Sequence, residues 1–317
     1  MATINNTLNT VTSGVTTGVI TQENGVFYDR TLLKRLVGNL HFVKYGQKRN
    51  LPAHSGDTIN FRRFNSLTPP ANPLTEGVTP DGSNFTVTAV TAKPVQYGDY
   101  VVVSDLLAKE GLDPVITEIA EVLGEEAAQK LDDVTKAEIF AGTTVQYAGT
   151  ATTRDTVTAS MVLTGNDVKK AVRTLRNNKA KPMADGYYIG FIDPYCAYDL
   201  MQDTLWQDVS KYSNKENIEK GEIGKIHGVK FIDNTNAFTA TNTNSVTVRG
   251  TLIIGQDAYG VVDVEGSRKP KLLVKYAKDS GGSDPLEQRN TIGWKVLYTA
   301  KRLQELAMVR IESGFTA

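Results

Sequence analysis

Apolar positions recur along this chain with two different periods, and the changes of period mark its elements. From Asp29, the residues Leu32, Leu33, Leu36, Val37 and Leu40 form a stripe at helical spacing, with Asp29 as cap and Gly46 and Pro52 as the end. Thr58–Phe64 then alternates, with Ile59, Phe61 and Phe64 separated by Asn60, Arg62 and Arg63. Phe85–Pro94 alternates again, with Phe85, Val87 and Ala89 set against Thr86, Thr88 and Thr91. Both segments predict strands. Between them lies Asn65–Asn84, rich in proline and glycine (Pro69, Pro70, Pro73, Pro80, Gly77, Gly82) and too long for an ordinary hairpin turn. The pattern predicts a two-stranded ribbon with an extended polar tip. Such a ribbon is marginal alone in water, so it needs a surface to lie on, and a neighbouring subunit is the economical one.

After Tyr97-Gly98-Asp99, Tyr100–Val103 reads as a short strand. Asp113 and Pro114 open a helix that runs to Phe140 and stops at Gly142. Ile116, Ile119, Leu123, Ala127, Leu131 and Val134 give it one buried face, and it spans roughly 40 Å. Residues 161–265 read as an α/β unit. A Thr164/Asp167 capping box starts a helix ending near Asn178, Tyr187–Ile192 is a strand, and Asp193-Pro194 starts a second helix to about Asp203. Val229–Ile232 and Leu252–Ile254 are further strands, with Asn234–Asn244 as a Thr/Asn loop. The last fifty residues predict three strands, Lys271–Tyr276, Gly293–Thr299 and Leu306–Ile311. No internal repeat is visible.

Composition narrows the classes. The 317 residues are 40% hydrophobic, enough for a sizeable core, and 35 Lys+Arg balance 35 Asp+Glu. A net charge of zero argues against a dedicated nucleic-acid binder and leaves little repulsion between copies. A single cysteine, Cys196, excludes an intrachain disulfide and reads as a small buried apolar side chain. The segment Met1–Thr7 lacks the basic start and apolar run of a signal peptide. Residues 1–25, rich in Thr, Asn and Gly, predict a tail or an arm that orders on a neighbour. No window reaches the length of a membrane span. Synthesis and retention in the cytosol, or delivery by other means, is the expectation.

Candidate chemistry is sparse. Gly224-Lys225 lacks the rest of a phosphate loop, no Gly-x-Ser-x-Gly elbow occurs, and His41, His54 and His227 are far apart in sequence. No cofactor, metal or catalytic residue is expected. The acidic pairs Glu125-Glu126 and Asp132-Asp133 read as a solvated helix face. Lys169, Arg173 and Arg176 share one helix face, opposite Val168, Val172 and Leu175. That face either pairs with acids on a neighbour or meets DNA phosphates without sequence choice.

Four stretches carry a resemblance: Tyr97–Leu106 (YGDYVVVSDL), Phe191–Leu200 (FIDPYCAYDL), Gly221–Phe231 (GEIGKIHGVKF) and Asp284–Lys295 (DPLEQRNTIGWK). In this order, after an arm and a hairpin and around a long helix, they resemble tailed-phage major capsid proteins of the Hong Kong 97-type fold, and more narrowly the subfamily named for coliphage N-four. The resemblance implies an α+β fold. Its parts would be an N-terminal arm and helix (1–57), an E-loop hairpin (58–98), a peripheral domain with a spine helix (99–160, spine 113–140), an axial domain (161–265) and peripheral return strands (266–317). It implies pentamers and hexamers of an icosahedral head shell, assembled in the host bacterial cytoplasm as a procapsid that later expands around double-stranded DNA. Portal, scaffolding and decoration proteins are the implied partners. Phe64, Leu67, Pro69, Pro70, Leu74, Phe85 and Tyr97 would form the subunit interface of the E-loop and its hinge. Asp113, Pro114, Gly293 and Trp294 would mark the fold. Some relatives weld subunits through an E-loop lysine, and Asn65–Asn84 has none, which implies noncovalent contacts or decoration proteins. A nanocompartment shell of the same fold, enclosing a protein cargo, stays open. So does a tail-fibre or adhesin protein, and, more remotely, an enzyme with a site assembled from distant residues.

Overall fold

The computed structural model describes residues 42–51, 56–65, 67–69, 73, 76–79, 81–110, 115–204, 224–264, 271–279 and 284–316. Most of the helix expected from Asp29 lies outside them, as do Pro70, Leu74, Asp113, Pro114, His41 and His54. The described chain starts with the short helix α1 (Phe42–Tyr45), and then β1 (Gln47–Leu51).

The ribbon forms as the alternation predicts. β2 (Ile59–Phe64) and β3 (Val87–Ala92) pair antiparallel from Ile59–Ala92 to Phe64–Val87 and make a sheet of their own. Next come β4 (Val95–Ser104), α2 (Asp105–Glu110), the long helix α3 (Val115–Phe140) and β5 (Val145–Tyr147). α3 has 26 residues, roughly 39 Å, and buries Leu123, Ala127, Thr135 and Ile139. α4 (Gly165–Asn177), β6 (Tyr188–Ile192) and α5 (Pro194–Gln202) follow. Their caps are those read from sequence. The Thr164 hydroxyl accepts from the Asp167 amide and donates to its carboxylate at 2.7 Å. Asp193 accepts from the Tyr195 amide, with Pro194 in the first turn.

The remaining strands are β7 (Lys225–Ile226), β8 (Val229–Asp233), β9 (Phe238–Thr241), β10 (Thr247–Ile254), β11 (Tyr259–Val264), β12 (Lys271–Lys275), β13 (Arg289–Arg302) and β14 (Met308–Ser313). They build two larger sheets. In the five-stranded sheet, β13 pairs with β4 along one edge and with β12 and then β11 along the other, and β1 adds in parallel to β11. The seven-stranded sheet runs β5-β14-β10-β6-β8-β7, with β9 also on β10. One contiguous core joins both sheets to the helices, from Phe42 and Ile139 through Phe191 and Ile253 to Trp294.

Several expectations change. β4 begins at Val95 instead of Tyr100, because β13 offers a partner to each of its ten residues. Gly293 permits this crossing: a Cβ there would stand 2.7 Å from the Cβ of Tyr100 and 2.9 Å from the Asp99 carbonyl. Trp294 is buried beside it, its indole N–H 3.4 Å from Glu126 Oε2. The expected loop Asn234–Asn244 contains β9, held because Phe238 stacks on Phe140 with centroids 5.5 Å apart. The three last strands do not stay together: β12 and β13 join the five-stranded sheet, but β14 pairs with β10 in the other. β11, from the expected 161–265 unit, goes the opposite way. Alternation shows that a strand exists but does not name its partner, so sequence boundaries at 265 miss this exchange.

Candidate assembly surfaces

The hairpin is fixed only at its root. Phe61, Leu51, Ala92 and Val262 form a small apolar cluster, with Ile59, Val90 and Leu303 packed on it. The Phe61 ring lies directly on β11 because Gly260 has no side chain: a Cβ there would be 2.7 Å from the ring. Beyond the root the large apolar side chains among the described residues are exposed. Phe64 is 70% exposed and Phe85 66%, and their rings face each other with centroids 6.0 Å apart. Leu67 and Val78 are exposed as well, and so is Pro69. Cross-strand bonds hold the ribbon's register without tying it to the body, as from Asn65 Nδ2 to Thr86 at 2.9 Å and from Thr91 to Asn60 at 2.7 Å.

Tyr97 belongs elsewhere than expected. It is half-buried in β4, packs on the main core, and carries the Lys130 ammonium 5.5 Å from its ring centroid. Its place in the ten-residue ladder turns it towards α3, so it joins sheet to helix within the subunit. Of the residues grouped with the arm, Phe64, Leu67, Pro69 and Phe85 are exposed on it. Val87, in β3, shares that exposure, as does Val78, which stands in the polar tip where no period marks it.

α4 presents the face read from sequence. Lys169, Arg173 and Arg176 are exposed, while Val168, Val172 and Leu175 are buried. Among the described residues none of these three cations forms an ion pair; Lys170, beside them, pairs with Asp167 at 3.0 Å. His227 sits in the β7–β8 turn at φ 49°, and burial lowers its pKa. Cys196 is buried, which pushes its thiol up to about 12. Among the described residues, no group of three His, Cys, Asp or Glu could hold a metal ion. No described helix is long and apolar enough to cross a membrane.

The acidic pairs on α3 are not one solvated face. Asp132 is fully buried because α1 crosses it, and its Oδ1 accepts the Phe42 amide at 3.0 Å. Burial raises its pKa to about 6, with the Phe42 and Val43 amides opposing that shift. The fold therefore favours the protonated acid. This contribution to stability is complete below the ordinary value of 3.8 and is lost as pH rises through about 6. Asp132→Asn, neutral throughout, should match the parent near pH 4 and exceed its stability at pH 8 by on the order of 2 kcal/mol. Urea unfolding of the dispersed subunit at both pH values measures this, and equal parent–variant differences at the two would refute it.

The fold as a whole has solved counterparts. The capsid of cyanophage P-SCSP1u aligns at a TM-score of 0.69 and 16% identity, over 92% of this chain and 93% of that one. The capsid of Ralstonia phage GP4 gives 0.71 and 11%, over 97% and 99%. The head of Helicobacter pylori bacteriophage KHP40 gives 0.67 and 14%, over 98% and 100%. No curated protein matches by sequence. The ribbon, long helix and paired sheets are thus the Hong Kong 97-type fold of phage capsid subunits. A family model described as phage capsid protein matches residues 87–311, more than two-thirds of the chain. The chain belongs to that family: it is a major capsid protein, a structural component of the virion's head shell.

Proposed function

We propose that this subunit forms pentamers and hexamers in which each hairpin, as the E-loop, lies across a neighbouring copy, and that these capsomers close an icosahedral shell around double-stranded DNA. The observation that carries this reading is the hairpin itself, with a root packed in the subunit and an outer half whose aromatic side chains are exposed. Exposed apolar groups on a projecting arm are the mark of an association surface. On this reading α3 is the spine of the peripheral domain, and the seven-stranded sheet with α4 and α5 is the axial domain. On this reading contacts between subunits are noncovalent, which the absence of lysine from residues 65–84 supports. The four motif stretches support a place in the subfamily named for coliphage N-four. Portal and scaffolding proteins are its assembly partners, decoration proteins are candidates for bracing the expanded shell, and the basic face of α4 is open to a neighbour's carboxylates or to packaged DNA.

Deleting Leu67–Gly82 should leave a folded subunit that no longer closes shells. Electron microscopy of the expressed full chain and of the deletion reads the result directly. Normal shells from the deletion variant would overturn the role given to the hairpin.

A further inference from the structure

Along the hairpin, from Ile59 at its root to Asn65 at the outer end of β2, runs a groove of about 820 Å³ bounded by β1 and the turns that follow α4 and β10. Five cations line it, Arg49, Arg62, Arg63, Lys179 and Lys181, against one carboxylate, Asp257. Among the described residues none of these six forms an ion pair, so cations outnumber carboxylates along the groove. Its walls also include apolar groups, Ile59 and Leu306 among them. The chain is neutral overall, so the compensating charge lies elsewhere on it. The hairpin tip is one such place. Residues 65–84 contain Glu76 and Asp81 and no Lys, Arg or His. Both acids are exposed and, among the described residues, unpaired, and Val78 beside them is exposed too.

We propose that the groove at each hairpin root receives the acidic tip of a neighbouring copy's hairpin, with Glu76 and Asp81 set among the root cations. The inference rests on the shell reading above and names the receptor for its arm. Six residue pairs in register, continued by the Asn65 amide bonded to the Thr86 carbonyl, hold the tip about 20 Å out from its own root. Tip-to-root contact is head-to-tail, the kind of interface that closes into a ring when the rotation between copies allows. An extended segment with both acidic and apolar side chains suits a groove with cations and apolar walls. A bare phosphate backbone would leave those walls without a partner.

The test is a charge exchange in the full chain. Arg62→Glu with Arg63→Glu reverses the root, and Glu76→Lys with Asp81→Lys reverses the tip. Each pair alone should raise the concentration needed for rings or shells about tenfold, and all four together should restore it to within about threefold. Circular dichroism establishes that each variant is folded. If the reversed root is not, Arg62→Gln with Arg63→Gln replaces it and should remove the salt sensitivity of assembly. Parental assembly by both single-site sets, or a four-fold variant no better than the worse pair, would overturn the pairing. So would a reversed root that assembles normally but no longer retains a double-stranded oligonucleotide, which would assign the groove to DNA. If the tip deletion abolishes shells while the charge reversals do not, the shell reading stands and only this receptor is lost.

Discussion

Replacing Glu312 by alanine should lower the unfolding free energy of the dispersed subunit by about 3–5 kcal/mol, the usual result of removing one partner from a buried charge network. Glu312, on β14, is fully buried. Arg154 grips it with two bonds, Nε at 2.8 Å and Nη2 at 2.6 Å, and Arg310 Nε stands 2.9 Å from its Oε1. Arg310 also donates to the Phe140 carbonyl at the end of α3, and burial already lowers its pKa. Both guanidinium groups lie near the Phe238 ring, at 5.4 Å and 4.9 Å from its centroid. Loss of the carboxylate leaves a buried cation with no counter-charge at the point where the long helix meets the seven-stranded sheet. Glu312→Gln keeps an acceptor and should lose less. Chemical denaturation gives the values, and a loss below about 1 kcal/mol for Glu312→Ala would show that the network does not hold this junction.

Phe42→Ala should cost a similar amount, about 3–5 kcal/mol. The Phe42 side chain is fully buried and meets Phe140 and Phe191 edge-on, with centroids 5.8 Å and 4.7 Å apart. Its backbone is held on both sides, since its amide donates to Asp132 and its carbonyl accepts from the Tyr259 hydroxyl. This residue ties the chain leaving the first 41 positions to α3, β6 and β11 at once. Truncation should therefore destabilise the subunit and also speed amide exchange through Phe42–Tyr45. Phe42→Leu, which refills most of the space, should recover much of the stability. A Phe42→Ala variant with parental stability and exchange would refute the anchor.

Both sites show where sequence reading stopped. Asp132 looked like one member of a surface acidic pair, because a helix exposes charge by default and nothing local reveals that α1 crosses it. Glu312 sits within a strand whose every residue is buried, so its partners, Arg154 and Arg310, are visible only once β14 is placed against β10 and β5. Tyr97, which the resemblance groups with the E-loop and its hinge, is half-buried in the ladder with β13 and packs on the core.

The sequence by itself determined what depends on near neighbours. The alternation of β2 and β3, the breaker-rich span between them, the apolar stripe of α3 and the Thr164 and Asp193 caps are local facts, and the folded chain keeps them. The exposed basic face of α4 followed from spacing alone. Tertiary structure decided what depends on contacts far apart in the chain. It sent β14 and β11 to opposite sheets, made β13 the shared strand of the five-stranded sheet, buried Asp132 and Glu312, and gathered cations from β1, from β2 and from the turn after α4 along one groove. Strand pairing is selected by the whole packed arrangement, in which each edge takes the partner that completes the core. Side-chain period carries no record of that choice.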